Sequence, residues 1–153
     1  MAGVDDAAGV IFEKAAERAR SLGLPYAGAV TPQEAWDLHQ AGAAVIVDVR
    51  TQVEHEYVGH IPDTTLIEWR RLGERSPDPQ FIEKVAQRYS PSQALLFLCR
   101  SAQRSHNAAI LAAKSGFPRA YNILEGFEGE LDANGHRGTL GGWRKAGLPW
   151  RQG

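Results

Sequence analysis

The chain has 153 residues, 43% of them apolar and 23% charged, which allows one domain with a buried core and excludes a chain disordered by composition. Seventeen Lys and Arg against eighteen Asp and Glu leave a formal net charge of -1. Bulk charge therefore points to no nucleic acid and no membrane as partner, and any charge-based function must be local. Cys99 is the only cysteine, which excludes an internal disulfide framework and a multi-cysteine zinc site and fits a reducing compartment. No apolar run exceeds Ala94 to Cys99, far short of the roughly 20 residues that span a bilayer. The N-terminal MAGVDDAAGV carries no basic leader before an apolar stretch, so the expectation is a soluble, cytoplasmic domain.

Asp5 to Leu22 sets Val10, Ala15, Ala16 and Ala19 among charged neighbours, a weakly amphipathic helix that Gly23 can stop, with a frayed tail as the alternative. Residues 1–25 are taken as a helical extension and 26–153 as the domain proper. Thr31, Pro32 and Glu34 announce the next helix, with Thr as N-cap, Pro at the first position and Glu at the third, continuing to Gly42. AVIVDVR (44–50) follows as a buried parallel strand ending in Asp48 and Arg50. A second strand is expected at Thr64 to Trp69, after the turn Gly59 to Asp63. Asp78 to Tyr89 reads as a helix with Phe81, Ile82, Val85 and Ala86 on one face, closed by Pro91. ALLFLC (94–99) is a third buried strand, Arg104 to Ser115 a helix capped by Gly116, and Ala120 to Leu124 a fourth strand. Alternating strands and helices argue for an α/β domain with a mainly parallel sheet. The glycine-rich tail from Gly126 is expected to be ordered but irregular.

In open α/β sheets the ligand crevice lies at the C-terminal ends of the strands, where this sequence sets Asp48, Arg50 and Cys99. The most informative stretch is LLFLCRSAQRSHNAAILAAKSG, in which a buried strand ends on a thiol, a short polar loop follows and a helix begins. Loop amides and the first helical N–H groups converge in such a turn with no acceptor of their own, a nest for an anion. A sulfur held there is favoured as thiolate. From Lys84 to Leu124 there is no Asp or Glu, while Arg100 and Arg104 flank the thiol. Positive side chains at a helix N-terminus oppose its dipole by roughly 0.3–1 kcal/mol, so a thiolate or an anionic substrate would balance them. A plain core cysteine with solvated arginines is the bland alternative.

DVRTQVEHEYVGHIP (48–62), CRSAQRS (99–105) and NILEGFEG (122–129) resemble the successive signatures of a single-domain rhodanese, the sulfurtransferase family. The resemblance runs from about Ala29 to Trp150 and includes the tail motifs Gly142-Trp143 and Leu148-Pro149-Trp150. It implies a three-layer domain with a central, mainly parallel five-stranded sheet flanked by helices. It also implies a cysteine that takes a sulfane sulfur from a donor such as thiosulfate, holds it as a persulfide and passes it to cyanide or a thiol, with no metal and no organic cofactor. Carried onto this chain, Cys99 is the nucleophile, and Arg100, Ser101, Ala102, Gln103, Arg104 and Ser105 form the loop that holds the persulfide. Arg100 and Arg104 are the implied anion contacts. Asp48 and Arg50 match the family's Asp-x-Arg strand end in a supporting role.

Two departures stand out. Ala102 occupies a position that more often is Gly, a strain if the backbone there has a positive φ, and GHIPDT (59–64) replaces the usual Gly-His-Ile-Pro-Gly-Ala. The same fold can carry phosphatases and related arsenate reductases; those phosphatases resemble His-Cys-x5-Arg, whereas here Leu98 precedes the thiol and the spacing is Cys-x4-Arg, which favours sulfur over phosphorus. A persulfide carrier served by a sulfur-relay protein is the other reading. His39, His55, His60, His106 and His136 show no metal-ligand spacing. His106 is expected to cap or pack, His60 to sit in a turn, and Trp36 and Trp69 to pack in the core or at its rim. Glu125 and Phe127 form either a pocket rim or a helix start, and Arg70-Arg71 a solvated turn or a pair that steers anions.

Overall fold

In the computed structural model, which describes the backbone of residues 2–153 and the side chains of residues 6–153, five short apolar runs pair into one sheet. The strands are β1 (Gly28–Val30), β2 (Val45–Asp48), β3 (Thr65–Leu66), β4 (Leu95–Leu98) and β5 (Ala120–Ile123), in the order β1-β5-β4-β2-β3, with every neighbouring pair parallel. Parallel neighbours need crossover connections. These carry the helices α2 (Pro32–Gln40), α3 (Phe81–Arg88) and α4 (Gln103–Lys114), while α1 (Ala2–Leu22) precedes the sheet. Met1 of the expected extension lies outside the described residues. Among the described residues no helix is long and apolar enough to cross a membrane.

The period of two along a strand sorts the core into two layers. In β4, Leu96 and Leu98 face a cluster with Ala15 of α1, Ala35 and Leu38 of α2, Phe127 and Trp143. Leu95 and Phe97, with Cys99 next in the same alternation, face Phe81 and Val85 of α3 and Ala108, Ala109 and Ala112 of α4. The thiol therefore emerges on the α4 side, above a helix made of small residues that can approach the sheet closely. Helix α2 starts where its sequence dictates. Thr31 Oγ1 accepts from Glu34 N at 3.1 Å and Glu34 Oε1 accepts from Thr31 N at 3.0 Å, a reciprocal capping box.

The structure trims several expected elements. The strand expected at 44–50 keeps only Val45–Asp48, and that expected at 64–69 only Thr65–Leu66, although Ile67 N and Trp69 N still donate to Asp48 O and Val49 O beyond the regular ladder. The helix expected from Asp78 begins at Phe81. Asp78 stays outside it, accepting from Gln80 N and pairing with Lys84 at 2.9 Å. The pattern along the chain did not indicate β1, because its three residues are too short for an alternation to be read, nor the π-helical turn at Glu54–Val58. The tail is irregular but fixed. Trp143 is fully buried, its Nε1 donates to Pro149 O at 2.9 Å, and Arg151 forms an antiparallel bridge with His60.

Helix α1 sits on the sheet edge through a backbone-to-backbone approach. A Cβ added to Gly28 would lie 2.4 Å from Ala15 O, and Arg18 of α1 reaches Glu34 of α2 at 2.6 Å. Gly28→Ala should therefore cost about 1–3 kcal/mol by overpacking and lower the thermal midpoint by several degrees. An unchanged midpoint in a thermal melt would mean that α1 does not press on β1 in solution.

Candidate active site at the strand ends

Cys99 follows the last residue of β4 directly and is 1% exposed. Three residues later the chain enters α4 from Ala102, whose φ of +79° is left-handed. The position does demand the conformation that favours glycine, at a cost to alanine of roughly 1–2 kcal/mol. Within this turn none of the amides of residues 100–105 donates to an acceptor among the described residues, so they are available to an anion at the helix start. Carbonyls of the same segment are held by the loop after β5. Phe127 N donates to Cys99 O at 2.8 Å and Glu128 N to Arg100 O at 2.9 Å. Gly126 is required for that contact, because it has φ +68° and an added Cβ would stand 2.5 Å from the Arg100 carbonyl.

A polar chain leads from the thiol into the sheet. Cys99 Sγ lies 3.2 Å from Ser105 Oγ, Ser105 Oγ donates to Asn122 Oδ1 at 2.5 Å, and Asn122 Nδ2 donates to Ala102 O at 3.2 Å. A carbonyl only accepts, so the amide nitrogen must face Ala102 and the amide oxygen must face Ser105. The serine hydroxyl proton is thereby directed to Asn122, leaving the oxygen as acceptor for the thiol S–H. Asn122 was not among the sequence candidates. Its signal is a polar side chain inside the otherwise apolar strand AYNI, where it is 4% exposed and must find partners.

Asp48 and Arg50 form a fully buried pair. Arg50 Nη2 meets Asp48 Oδ2 at 2.7 Å and Nε meets Oδ1 at 3.0 Å, while Nη2 also donates to Gly59 O at 2.7 Å. The guanidinium lies 4.4 Å from the centroid of the Phe127 ring. These contacts tie the end of β2 to the turn after the π-helical segment and to the loop that holds Cys99. In that turn Asp63 takes φ +61°, a conformation that Asp tolerates better than most residues other than glycine.

Arg104 and Arg100 are placed differently. Arg104 is gripped by Glu54 at 2.6 and 2.9 Å, both side chains being mostly buried, and Glu54 Oε1 also accepts from Thr51 N. Burial alone would raise the Glu54 carboxyl. Hydrogen bonds and charge from Arg104, helped by the Thr51 amide and the charge of Arg50, overcome it and hold the carboxyl at about 2. Arg100 is exposed and has no ion-pair partner among the described residues. Both arginines line a cleft of about 480 Å³ that also receives Arg70, Arg71 and Arg137.

Among the described residues, none of the remaining candidates makes a side-chain hydrogen bond to the thiol. His106 Nδ1 meets Tyr26 Oη at 2.6 Å, and the His55 and His60 rings stack at 4.2 Å. Trp69 packs edge-on against Phe81 in the core. Phe127 is fully buried and opens no helix, and Glu125 accepts from Gly142 N at 2.9 Å, anchoring the tail.

A family model for the rhodanese-like domain matches residues 31–131. The chain is 33% identical over 111 residues to an uncharacterized protein of Rickettsia prowazekii, covering 71% of this chain and 83% of that one. It is 26% identical over 120 residues to the thiosulfate sulfurtransferase GlpE of Actinobacillus succinogenes, covering 78% and 86%. The crystal structure of Rv0390 from M. tuberculosis superposes with a TM-score of 0.75 at 42% identity, covering 84% of this chain and 99% of that chain.

The folded Glu54 carboxyl, at about 2, lies below its ordinary value of 4.5. Its pair with Arg104 therefore contributes stability that is fully present above that ordinary value and is lost as the pH falls towards the folded one. Glu54→Gln, which leaves the Arg104 cation without its counter-charge, should lower the neutral-pH thermal midpoint by several degrees, on the order of 1–3 kcal/mol. The gap between variant and wild type should close as the pH falls. Melts that coincide at neutral pH would show that the pair contributes nothing.

Proposed function

The chain belongs to the rhodanese-like domain family, and from that premise we propose that it is a sulfurtransferase that carries sulfur as a persulfide on Cys99. The donor is a small anion such as thiosulfate, and the acceptor is a thiol or cyanide. The observation that carries this reading is a lone thiol at the end of β4, set in a turn whose amides from Arg100 to Ser105 have no acceptor among the described residues. The sequence relationship to proteins named thiosulfate sulfurtransferase supports it. A reducing cytoplasm would suit an enzyme that depends on one free thiol.

The chemistry is a double displacement. The Cys99 thiolate attacks the sulfane sulfur of thiosulfate, the donor S–S bond breaks, and sulfite leaves with the electron pair. The acceptor nucleophile then forms a bond to the outer sulfur of the persulfide, the bond between that sulfur and Cys99 Sγ breaks, and its electron pair returns to Sγ. Neither step consumes an oxidant or reductant or needs a metal or organic cofactor. The amides of residues 100–105 are suited to hold the anionic outer sulfur. Arg100, exposed and with no ion-pair partner among the described residues, would meet the donor, whereas Arg104, fixed by Glu54, would brace the loop. That engagement also argues against phosphoryl chemistry, since a guanidinium whose two terminal nitrogens are both gripped by a carboxylate is not free to clamp a phosphate with them.

Thiosulfate should add the mass of one sulfur atom to the wild-type chain, a gain reversed by a reductant and absent from Cys99→Ser, which should fold normally and lose thiosulfate:cyanide activity. Intact mass spectrometry and the steady-state assay check both, and an active Cys99→Ser would end the mechanism.

A charged hydrogen bond to a substrate anion is worth about 1.5–3 kcal/mol. Arg100→Ala is therefore expected to raise the KM for thiosulfate roughly ten- to a hundredfold with little change in thermal midpoint. Arg104→Ala should lower both activity and midpoint. If Arg100→Ala leaves the thiosulfate kinetics unchanged, the donor is recognised elsewhere.

A further inference from the structure

A nest built for one sulfur atom does not need a large antechamber, yet the cleft beside it measures about 480 Å³. That is within the range of pockets that enclose whole organic ligands. Besides Arg104, which Glu54 holds, its basic groups come from three separate segments: Arg70 and Arg71 after β3, Arg100 beside Cys99, and Arg137 in the tail. None of these four forms an ion pair among the described residues, and Arg137 makes only a hydrogen bond to Gly129 O at 2.8 Å. Of the carboxylates on the same wall, Glu54 is engaged by Arg104 and Glu128 lies 3.8 Å from Arg144, leaving Glu74. Convergent guanidiniums with so little counter-charge make a positive field that an anion with several charges would satisfy. The apolar residues Val53, Val58 and Leu72 line the same wall and suit a carbon skeleton rather than a bare oxyanion.

We propose that this cleft receives the sulfur acceptor, an organic thiol carrying two or more carboxylates that Arg70, Arg71 and Arg137 hold. The inference rests on the sulfurtransferase reading and names the acceptor class for it. Arg100 follows Cys99 directly and lines the cleft, so the bound thiol stands next to the nucleophile's loop. In the transfer, the acceptor thiolate forms a bond to the outer sulfur, the bond from that sulfur to Cys99 Sγ breaks, and the electron pair stays on Sγ. The products are the Cys99 thiolate and the organic persulfide.

To test this, Cys99 is loaded with thiosulfate, excess donor is removed, and loss of the added sulfur is followed by intact mass after addition of mercaptosuccinate or 2-mercaptoethanol. Rates are referred to the thiolate present. Mercaptosuccinate should discharge the persulfide at least about tenfold faster than the neutral thiol, and the Arg70→Ala/Arg71→Ala/Arg137→Ala variant should lose most of that advantage. Equal rates in the wild type, or an advantage that survives in the variant, would overturn the proposal. Should the triple variant fail to fold, Arg70→Ala/Arg71→Ala, at two exposed positions, reads the same loss.

Tricarballylate, which has three carboxylates and no thiol, tests the cleft apart from sulfur chemistry. Calorimetry should detect its binding to wild type and at least about tenfold weaker binding to the variant. If thiosulfate does not load Cys99, the sulfurtransferase reading falls and this binding alone decides the anion site. No binding to wild type overturns the cleft assignment even where loading succeeds.

Discussion

The buried pair of Asp48 and Arg50 is the contact on which the rest of the site depends. Two charges taken wholly out of water are costly, and such a pair persists where its geometry is good and further contacts offset the burial. Here Arg50 is shared among three neighbours, the Asp48 carboxylate, the Gly59 carbonyl and the face of Phe127, while its buried Nη1 has no hydrogen-bond partner among the described residues. Phe127 in turn donates its N–H to the Cys99 carbonyl. One guanidinium thus links the ends of β2 and β4, the turn before β3 and the loop after β5. Removing either charge would leave the other buried and unpaired, a loss of about 3–5 kcal/mol delivered to the segment that carries the thiol.

Around that anchor the charges divide into two sets. Arg104 stands in the first turn of α4, where a cation opposes the helix dipole, and its neutralising partner is Glu54, brought in by the π-helical turn. The loop thus gains rigidity from a charge that no longer needs a substrate to balance it. Arg100, Arg70, Arg71 and Arg137 line the cleft with no ion-pair partner among the described residues, so the positive potential lies outside the thiol nest. A structural cation next to the sulfur and free cations around the entrance are different uses of the same residue type, and the geometry separates them where local sequence could not.

Much of the architecture was legible because it is written in short-range patterns. The Thr31–Glu34 capping signal, the apolar run ending at Cys99 and the alanine face of α4 each depend on neighbours a few residues apart, and the structure keeps all three. What escaped depends on long-range contact. Strand β1 owes its existence to pairing with β5 and to the close approach of Ala15, not to a pattern of its own. Glu54 sits in a segment with no regular hydrophobic period and becomes part of the site only when the fold sets it against Arg104. In the sequence Asn122 is one more residue of the fourth expected strand, Ala120 to Leu124. Its partners, Ser105 and the Ala102 carbonyl, belong to a loop that the linear sequence places well before it.

Asn122 also accounts for how the loop tolerates its own departure from glycine. Ala102 holds φ +79°, which costs an L-residue roughly 1–2 kcal/mol. Such a conformation persists when surrounding contacts over-determine it. The carbonyl of Ala102 is held by Asn122 Nδ2, the carbonyls of Cys99 and Arg100 by Phe127 N and Glu128 N, and the far end of the turn by the Ser105 to Asn122 bond. At a typical net worth of about 1 kcal/mol each, these bonds together exceed the strain. The loop therefore keeps its left-handed entry to α4 without a glycine to make the turn easy, and the same side chain that supports the strained residue also fixes the direction of the hydroxyl that meets the sulfur.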